Sequence, residues 1–209
     1  YVSGFEQRAI LKASDLAGPP TTALDVGCEG GRWSKLLVDR GWRITAIDIG
    51  EYAINLCQKR IPSATCILVD PDDVTLPCET ESQGLVLCIE VPTVIASDWF
   101  MEEAGRVLRP EGLLVGVFEN KLSLRGYIRH LIARVKNEYD YYNTIYGRWR
   151  KRLFQQGFKM IYEEGICWFP FSRTSDSPLV PVFTKLEQYL GLRRLVKVSP
   201  WIVFIAQKE

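Results

Sequence analysis

Residues 21–50 read TTALDVGCEGGRWSKLLVDRGWRITAIDIG. "TALDV" (22–26) is a short apolar run with no helical period, and it stops at the glycines of Gly27-Cys28-Glu29-Gly30-Gly31. From Gly30 to Arg40 the pattern becomes helical, with Trp33, Leu36 and Leu37 on one side. "RITAID" (43–48) is a second apolar run, closed by Asp48. Strand, glycine turn, helix and strand within thirty residues make a parallel βαβ unit.

Outward from this unit the alternation continues. A helix is predicted over residues 4–17, ended by "GPP", and another over 50–60, ended at Ile61-Pro62. "TCILVD" (65–70) and "GLVLCIE" (84–90) are strands three and four. "SDWFMEEAGRVL" (97–108) is a helix capped by Ser97 or Asp98, and "GLLVGVF" (112–118) is strand five. Two helical stretches follow over about 121–156. Then come a strand at "FKMIYEEG" (158–165), a helix near 182–193 and a last strand at "PWIVFIAQ" (200–207). This order predicts an α/β fold: a Rossmann-like, doubly wound, mostly parallel sheet with helices on both faces. At 209 residues and 47% apolar content the chain can bury one core. A single domain over 1–209 is expected, with cap insertions at about 121–156 and 168–199.

Net charge is +1, so bulk electrostatics argue for neither nucleic acid nor membrane. The six cysteines are irregularly spaced without a CxxC pair, and His130 is the only histidine. No metal site is expected, and a reduced, cytoplasmic protein is. The first eighteen residues lack the uniform apolar stretch of a signal peptide.

The glycine turn raises a chemical question. A dinucleotide fold rests its diphosphate on the amides of this turn, at the amino end of the next helix. Here Glu29 stands where the middle glycine of GxGxxG lets backbone approach the phosphates, and Asp25 adds a second negative charge. Both would repel a diphosphate in a partly desolvated cleft. A cofactor bearing an amino group and a sulfonium meets no such objection, and S-adenosylmethionine is one.

"LDVGCEGGRWS", "AIDIG", "DDVTLPC" and "RVLRPEGLLVGV" stand in this order over roughly residues 15–120. In these motifs the chain resembles the class I S-adenosylmethionine-dependent methyltransferases, of the small-molecule type that includes the ubiquinone- and menaquinone-pathway enzymes. The resemblance implies a seven-stranded sheet with an antiparallel last strand. It also implies residue roles. Asp25 would hold the methionine ammonium, directly or through water, while Gly27, Cys28 and Gly31 offer close backbone. Asp48 would accept from both ribose hydroxyls, and Ile49 would lie against the adenine. Asp72 would be the adenine-side acid and Asp73 its neighbour, with Asp70 a competitor in that register. Ile89 and Glu90 would floor the methyl-transfer pocket, Glu90 being a catalytic candidate.

The blander readings are that Asp48 only caps the following helix, that Asp72 and Asp73 are solvated loop acids, and that Glu90 is a supporting hydrogen-bond acceptor. The chain also departs from the family. Glu29 replaces a glycine whose φ it has to imitate, at a cost of about 1–2 kcal/mol. Gln83-Gly84 replaces an aromatic–Asp pair, and Val94 stands where many relatives have histidine. A non-catalytic member that binds a partner is therefore the alternative reading. An NAD-type oxidoreductase is disfavoured by Glu29 and Asp25.

Acceptor choice should reside in the segments above the carboxyl ends of the sheet. Residues 121–152 hold nine Lys/Arg against Glu138 and Asp140, leaving −6 on the remainder. Leu124, Ile128, Leu131 and Val135 form an apolar stripe at helical spacing, with Arg125, Arg129 and Lys136 beside it. This predicts a basic amphipathic helix capping the site. It would greet an anionic small-molecule, lipid or glycan-precursor acceptor, such as a phosphorylated sugar or lipid-linked glycan, with O-methylation favoured over N- or C-methylation, or rest peripherally on an anionic membrane through 121–152; a solvated face is the plain alternative. "VFENKLSLRG" with the tyrosines that follow also resembles methyltransferases of bacterial surface-polysaccharide biosynthesis. His130, in this cap, is a candidate general base. Tyr139, Tyr141, Tyr142 and Tyr146 are lid candidates, and Trp168, Phe169 and Phe171 could wall an acceptor pocket or pack the core. "IEVP" (89–92) lacks the stretch that grips a base amine, so nucleic-acid methylation is not favoured.

Overall fold

The computed structural model describes residues 2–137, 140–169, 171, 175 and 177–209. The strands are β1 (Thr22–Val26), β2 (Arg43–Asp48), β3 (Thr65–Leu68), β4 (Gln83–Cys88), β5 (Leu108–Glu119), β6 (Phe158–Ile166) and β7 (Trp201–Lys208). They form one sheet in the order β3-β2-β1-β4-β5-β7-β6. β1 to β5 pair in parallel, and β7 runs antiparallel to both β5 and β6. The expected seven-stranded, mostly parallel sheet with an antiparallel last strand is what the chain adopts.

The helices are α1 (Val2–Leu16), α2 (Arg32–Val38), α3 (Glu51–Arg60), α4 (Pro92–Ile95), α5 (Asp98–Val107), α6 (Leu124–Lys136), α7 (Tyr146–Gln155) and α8 (Val180–Tyr189). Ser97 caps α5, its hydroxyl accepting from the Phe100 amide at 3.3 Å. α2 starts two residues later than the periodicity suggests, because Gly31 sits in the left-handed region with φ 71°. α4 was not expected. Its signal was Pro92 at the first helical position, where a missing N–H costs nothing. β5 begins four residues earlier than expected, as Leu108 pairs with Gln83 across a register irregularity.

β4 is buried along its whole length, so its alternate residues feed two cores. Leu85 and Leu87 join α1 and α2 on one face, with Ile10, Leu37 and Trp42. Val86 and Cys88 join α5 and α7 on the other, with Phe100, Phe118 and Trp149. The cysteines are free, and those inside the sheet act as small hydrophobes.

A buried asparagine ties the cap to the sheet. Asn120 Nδ2 donates to the carbonyls of Lys197 (3.0 Å) and Ser199 (3.1 Å). Its Oδ1 accepts from the amides of Leu122 (3.1 Å) and Tyr146 (3.2 Å). One satisfied amide thus joins the end of β5, the starts of α6 and α7, and the approach to β7. Nothing in the local pattern marked Asn120.

α6 turns its apolar stripe outward, an orientation the sequence pattern left open. It packs inward through Gly126 and Ala133, whereas Leu124, Ile128, Leu131 and Val135 are exposed. The reason is spatial: a Cβ on Gly126 would meet the Asn120 carbonyl oxygen at 2.3 Å. Only the small-residue face can approach Asn120 and Tyr142 so closely.

Candidate active site

The strand order reverses between β1 and β4, which opens a crevice at the carboxyl ends of the strands. A cavity of about 390 Å³ occupies it. The turn after β1 forms one wall. Gly27 has φ 71°, and a Cβ there would lie 2.4 Å from Val91 Cγ2, so no larger residue fits. Glu29 takes φ 46°, the backbone state a glycine would adopt freely. Asp48 holds it there: Oδ2 accepts from the Glu29 amide at 2.9 Å, and Oδ1 from the Gly50 amide at 2.9 Å. Gly50 is the N-cap of α3 and has no side chain to offer, so Asp48 also serves that helix start. Each carboxylate oxygen keeps a further lone pair.

The opposite wall is the segment after β3. Arg106 pins it, donating to the carbonyls of Leu76 (2.9 Å) and Cys78 (2.8 Å) and to Glu103. Glu103 Oε2 accepts in turn from the Leu76 amide at 2.7 Å. The Arg106 hydrogen bond keeps the Glu103 carboxyl below its ordinary range. Leu76 is thereby buried beside Ile49 and Val69, an apolar surface suited to a flat ring.

Of the residues proposed from the sequence, Gly27, Asp48, Ile49, Asp73, Ile89 and Glu90 line this cavity together, and so does the competitor Asp70. Asp72, Asp25, Cys28 and Gly31 are not among its lining residues. The Asp72 amide only donates to Asp70 Oδ1 at 2.9 Å. Asp25 is buried, accepting from Ser34 Oγ at 2.6 Å. It also accepts from the Ser34 backbone, serving α2 where its N-cap Gly31 has no side chain. Burial pushes the Asp25 carboxyl up to about 6, with Asp48 and Glu29 adding to the effect. Cys28 turns toward Cys57, and burial raises its thiol. At Gly31 a Cβ would lie 2.6 Å from Cys57 Sγ, so that glycine serves packing. Thr93 and Val94 of α4, with Trp99 of α5, also line the cavity. Thr93 and Val94 were not proposed as cavity residues because α4 was missed.

Five carboxylates line this cavity, those of Glu29, Asp48, Asp70, Asp73 and Glu90, and none of the lining residues is Lys, Arg or His. Such a wall repels a diphosphate and attracts a cation. It fits S-adenosylmethionine, whose ammonium and sulfonium outnumber its one carboxylate.

A second cavity of about 170 Å³ is lined by Glu119, Arg125, Arg129, Asp140, Tyr142 and Trp201 among others. Glu90 ends the β4 segment with φ 58°, a left-handed backbone rare outside glycine. Burial pushes the Glu119 carboxyl up to about 7, reinforced by Glu90 and offset by Arg125 and Arg129. Glu119 Oε2 and Arg125 Nη1 are buried without a hydrogen-bond partner among the described residues. His130 lines neither cavity; its Nδ1 lies 2.6 Å from Asp140 Oδ2, and Asp140 Oδ1 accepts from the Tyr142 amide at 3.0 Å. Phe169 and Phe171 pack on Phe183 of α8, with ring centroids 4.5 and 5.3 Å apart. Tyr146 is core. Tyr139 and Glu138 lie outside the described residues. Sequence reasoning missed Glu119, which "VFEN" offered only as a strand-end acid.

Comparison with known proteins agrees with this geometry. Residues 24–116 match the family model described as a methyltransferase domain. An uncharacterized methyltransferase-like protein of Schizosaccharomyces pombe is 27% identical over 154 residues, covering 72% of this chain and 57% of that protein. A malonyl-[acyl-carrier protein] O-methyltransferase of Serratia marcescens is 29% identical over 102 residues, covering 46% of this chain and 38% of that one. The chain thus spans little more than half, or less, of the curated relatives it matches. The crystal structure of an S-adenosylmethionine-dependent methyltransferase from Mesorhizobium loti shares the fold, with a TM-score of 0.69, 17% identity and 96% of each chain covered. With its glycine turn, its acid closing β2 and its sheet order, the chain matches a methyltransferase domain over residues 24–116 and has the fold of the S-adenosylmethionine-dependent methyltransferases.

Proposed function

We propose that this protein methylates a small-molecule or lipid-linked acceptor, at oxygen in preference to nitrogen or carbon. The observation that carries the cofactor half is that every charged residue lining the cavity is a carboxylate. Asp48 would hold the ribose hydroxyls, and Ile49, Val69 and Leu76 the adenine. Asp70 and Asp73 replace Asp72 as the adenine-side acids in this reading, because they and not Asp72 line the cavity. When bound, S-adenosylmethionine supplies an electrophilic methyl group whose leaving group is a neutral thioether.

Alignment then accounts for most of the rate, and a base matters only where the acceptor must lose a proton. The second cavity is suited to that acceptor. Glu119, titrating near neutrality, would take the proton of a hydroxyl group. Glu90 lines the first cavity and its charge acts on Glu119 in the second, and Arg125 and Arg129 would orient an anionic group on the acceptor. His130 would act through Asp140 as a positioning residue. Similarity to a relative named for O-methylation supports oxygen.

Calorimetric titration tests the first half. Micromolar binding of S-adenosylmethionine and S-adenosylhomocysteine is expected, with no heat from NAD; binding of NAD alone would overturn the reading. Turnover of methyl-labelled cofactor on hydroxylated acceptors then separates an enzyme from a binding member of the family.

Glu119→Gln tests the second half. A carboxyl held near 7 in the folded protein and 4.5 when free binds more protons folded than unfolded between those values. Folding stability therefore falls as pH rises through that window. Denaturation midpoints of Glu119→Gln should show a shallower fall between pH about 4.5 and 7, and its turnover should lose the rise centred near 7. Identical pH profiles would remove Glu119 from the mechanism.

A further inference from the structure

The outward apolar stripe of α6 asks what covers it. Leu124, Ile128, Leu131 and Val135 fall at i, i+4, i+7 and i+11, one stripe along the helix. Tyr127 widens that stripe. Leu124 is 77% exposed and Val135 88%, and the three between are exposed as well. Gly126 and Ala133, on the opposite side, are buried. Contiguous exposed apolar surface of this kind marks a contact site.

The charges around the stripe define the contact. α6 contains Arg125, Arg129, Arg134 and Lys136 and no acidic residue. Arg125, Arg129 and Lys136 flank the stripe on one side, and Arg134 lies beside Tyr127 on the other. At the amino end, Leu122 is exposed too, and Lys121 lines a basin with Arg148, Lys151 and Arg152. An apolar ridge between cationic borders matches a surface with hydrocarbon below and negative charge at its boundary. We infer that α6 docks the protein peripherally on an anionic lipid bilayer, with Leu124, Ile128, Leu131 and Val135 entering the acyl boundary and Arg134 and Lys136 meeting lipid phosphates. No helix among the described residues is long and apolar enough to cross a membrane, so this contact is interfacial.

The placement also narrows the proposed acceptor, and this part rests on the methyl-transfer reading. Arg125, Arg129, Ile132 and Ala133 of the same helix line the second cavity. A helix lying on the bilayer would therefore wall the acceptor chamber from its other side. An amphiphilic, anionic acceptor could pass from lipid to chamber without crossing bulk water.

Vesicle sedimentation of the whole chain tests the docking without any turnover. The protein is expected to pellet with phosphatidylcholine vesicles containing phosphatidylglycerol, weakly with phosphatidylcholine alone, and less as salt is raised. Leu131→Glu with Val135→Glu, both exposed positions, should lower partitioning at least about tenfold. Arg134→Glu with Lys136→Glu should lower it on anionic vesicles only. Thermal midpoint and S-adenosylmethionine affinity should stay unchanged in both variants, which separates failure of docking from failure of the cofactor site. Absence of pelleting with anionic vesicles would overturn the inference. So would undiminished pelleting of the Leu131→Glu, Val135→Glu variant. A dimer seen by light scattering and dissolved by that variant, without vesicle binding, would assign the face to a second copy instead.

Discussion

Asp48→Ala is expected to weaken binding of S-adenosylmethionine and S-adenosylhomocysteine at least about a hundredfold, or ~3 kcal/mol. Two losses add. The variant removes the carboxylate proposed to receive the ribose hydroxyls, and charge-assisted hydrogen bonds of that kind are the strong ones. It also releases the Glu29 and Gly50 amides, each held at 2.9 Å. Glu29 keeps φ 46° only because its surroundings impose it, so the turn should relax toward ordinary backbone and change the cavity wall. Asp48→Asn, which keeps one acceptor oxygen but not the charge, should lose less. Calorimetry on both variants, with thermal midpoints as control, checks this. Affinity within about twofold of the parent in a folded Asp48→Ala protein would reduce Asp48 to a cap of α3 and remove the ribose assignment.

Trp149→Ala should cost about 3–5 kcal/mol of folding stability, read as a lower urea midpoint at unchanged slope. Trp149 is fully buried, and its ring centroid lies 4.8 Å from those of Phe118 and Phe204 and 5.5 Å from that of Tyr146. These rings belong to β5, β7 and α7, so the indole clamps a cap helix to the sheet. Its Nε1 donates to the Ile95 carbonyl at 2.7 Å, which fixes the end of α4. Trp149→Phe would keep most of the ring contact and leave that carbonyl without its donor, a loss of about 1–3 kcal/mol. Because α4 contributes Thr93 and Val94 to the cavity, this milder variant should also weaken cofactor binding. A Trp149→Ala protein as stable as the parent would mean that α7 packs independently of the sheet.

These two residues differ in how legible they were. Asp48 stood at the end of an apolar run after a glycine turn, so strand, crossover and carboxyl-end position followed from local pattern. The same logic reached Gly27, Ile49, Ile89 and Glu90, because each is tied to a strand end whose place the parallel sheet dictates. Trp149 sat in a basic, helix-forming stretch, and nothing local said that it faced the sheet. Asp25 and Cys28 were close in sequence to cavity residues yet turn inward, toward Ser34 and Cys57. A one-residue step along a strand reverses the side chain, and motif position alone does not say which face is in.

The sequence by itself determined the alternation of strand and helix, the glycine turn, the acid closing β2 and the preference for a cationic cofactor. All of these follow from periodicity, backbone preference and charge within a few residues. Only the tertiary structure decided that Glu119 comes to stand beside Glu90, that Asn120 holds the cap, and that α6 presents its apolar stripe outward. Those depend on contacts between residues far apart in the chain. For α6 the deciding term is steric: the Asn120 carbonyl leaves room for Gly126 and for nothing larger, so the small face goes in and the large apolar face is left for a partner.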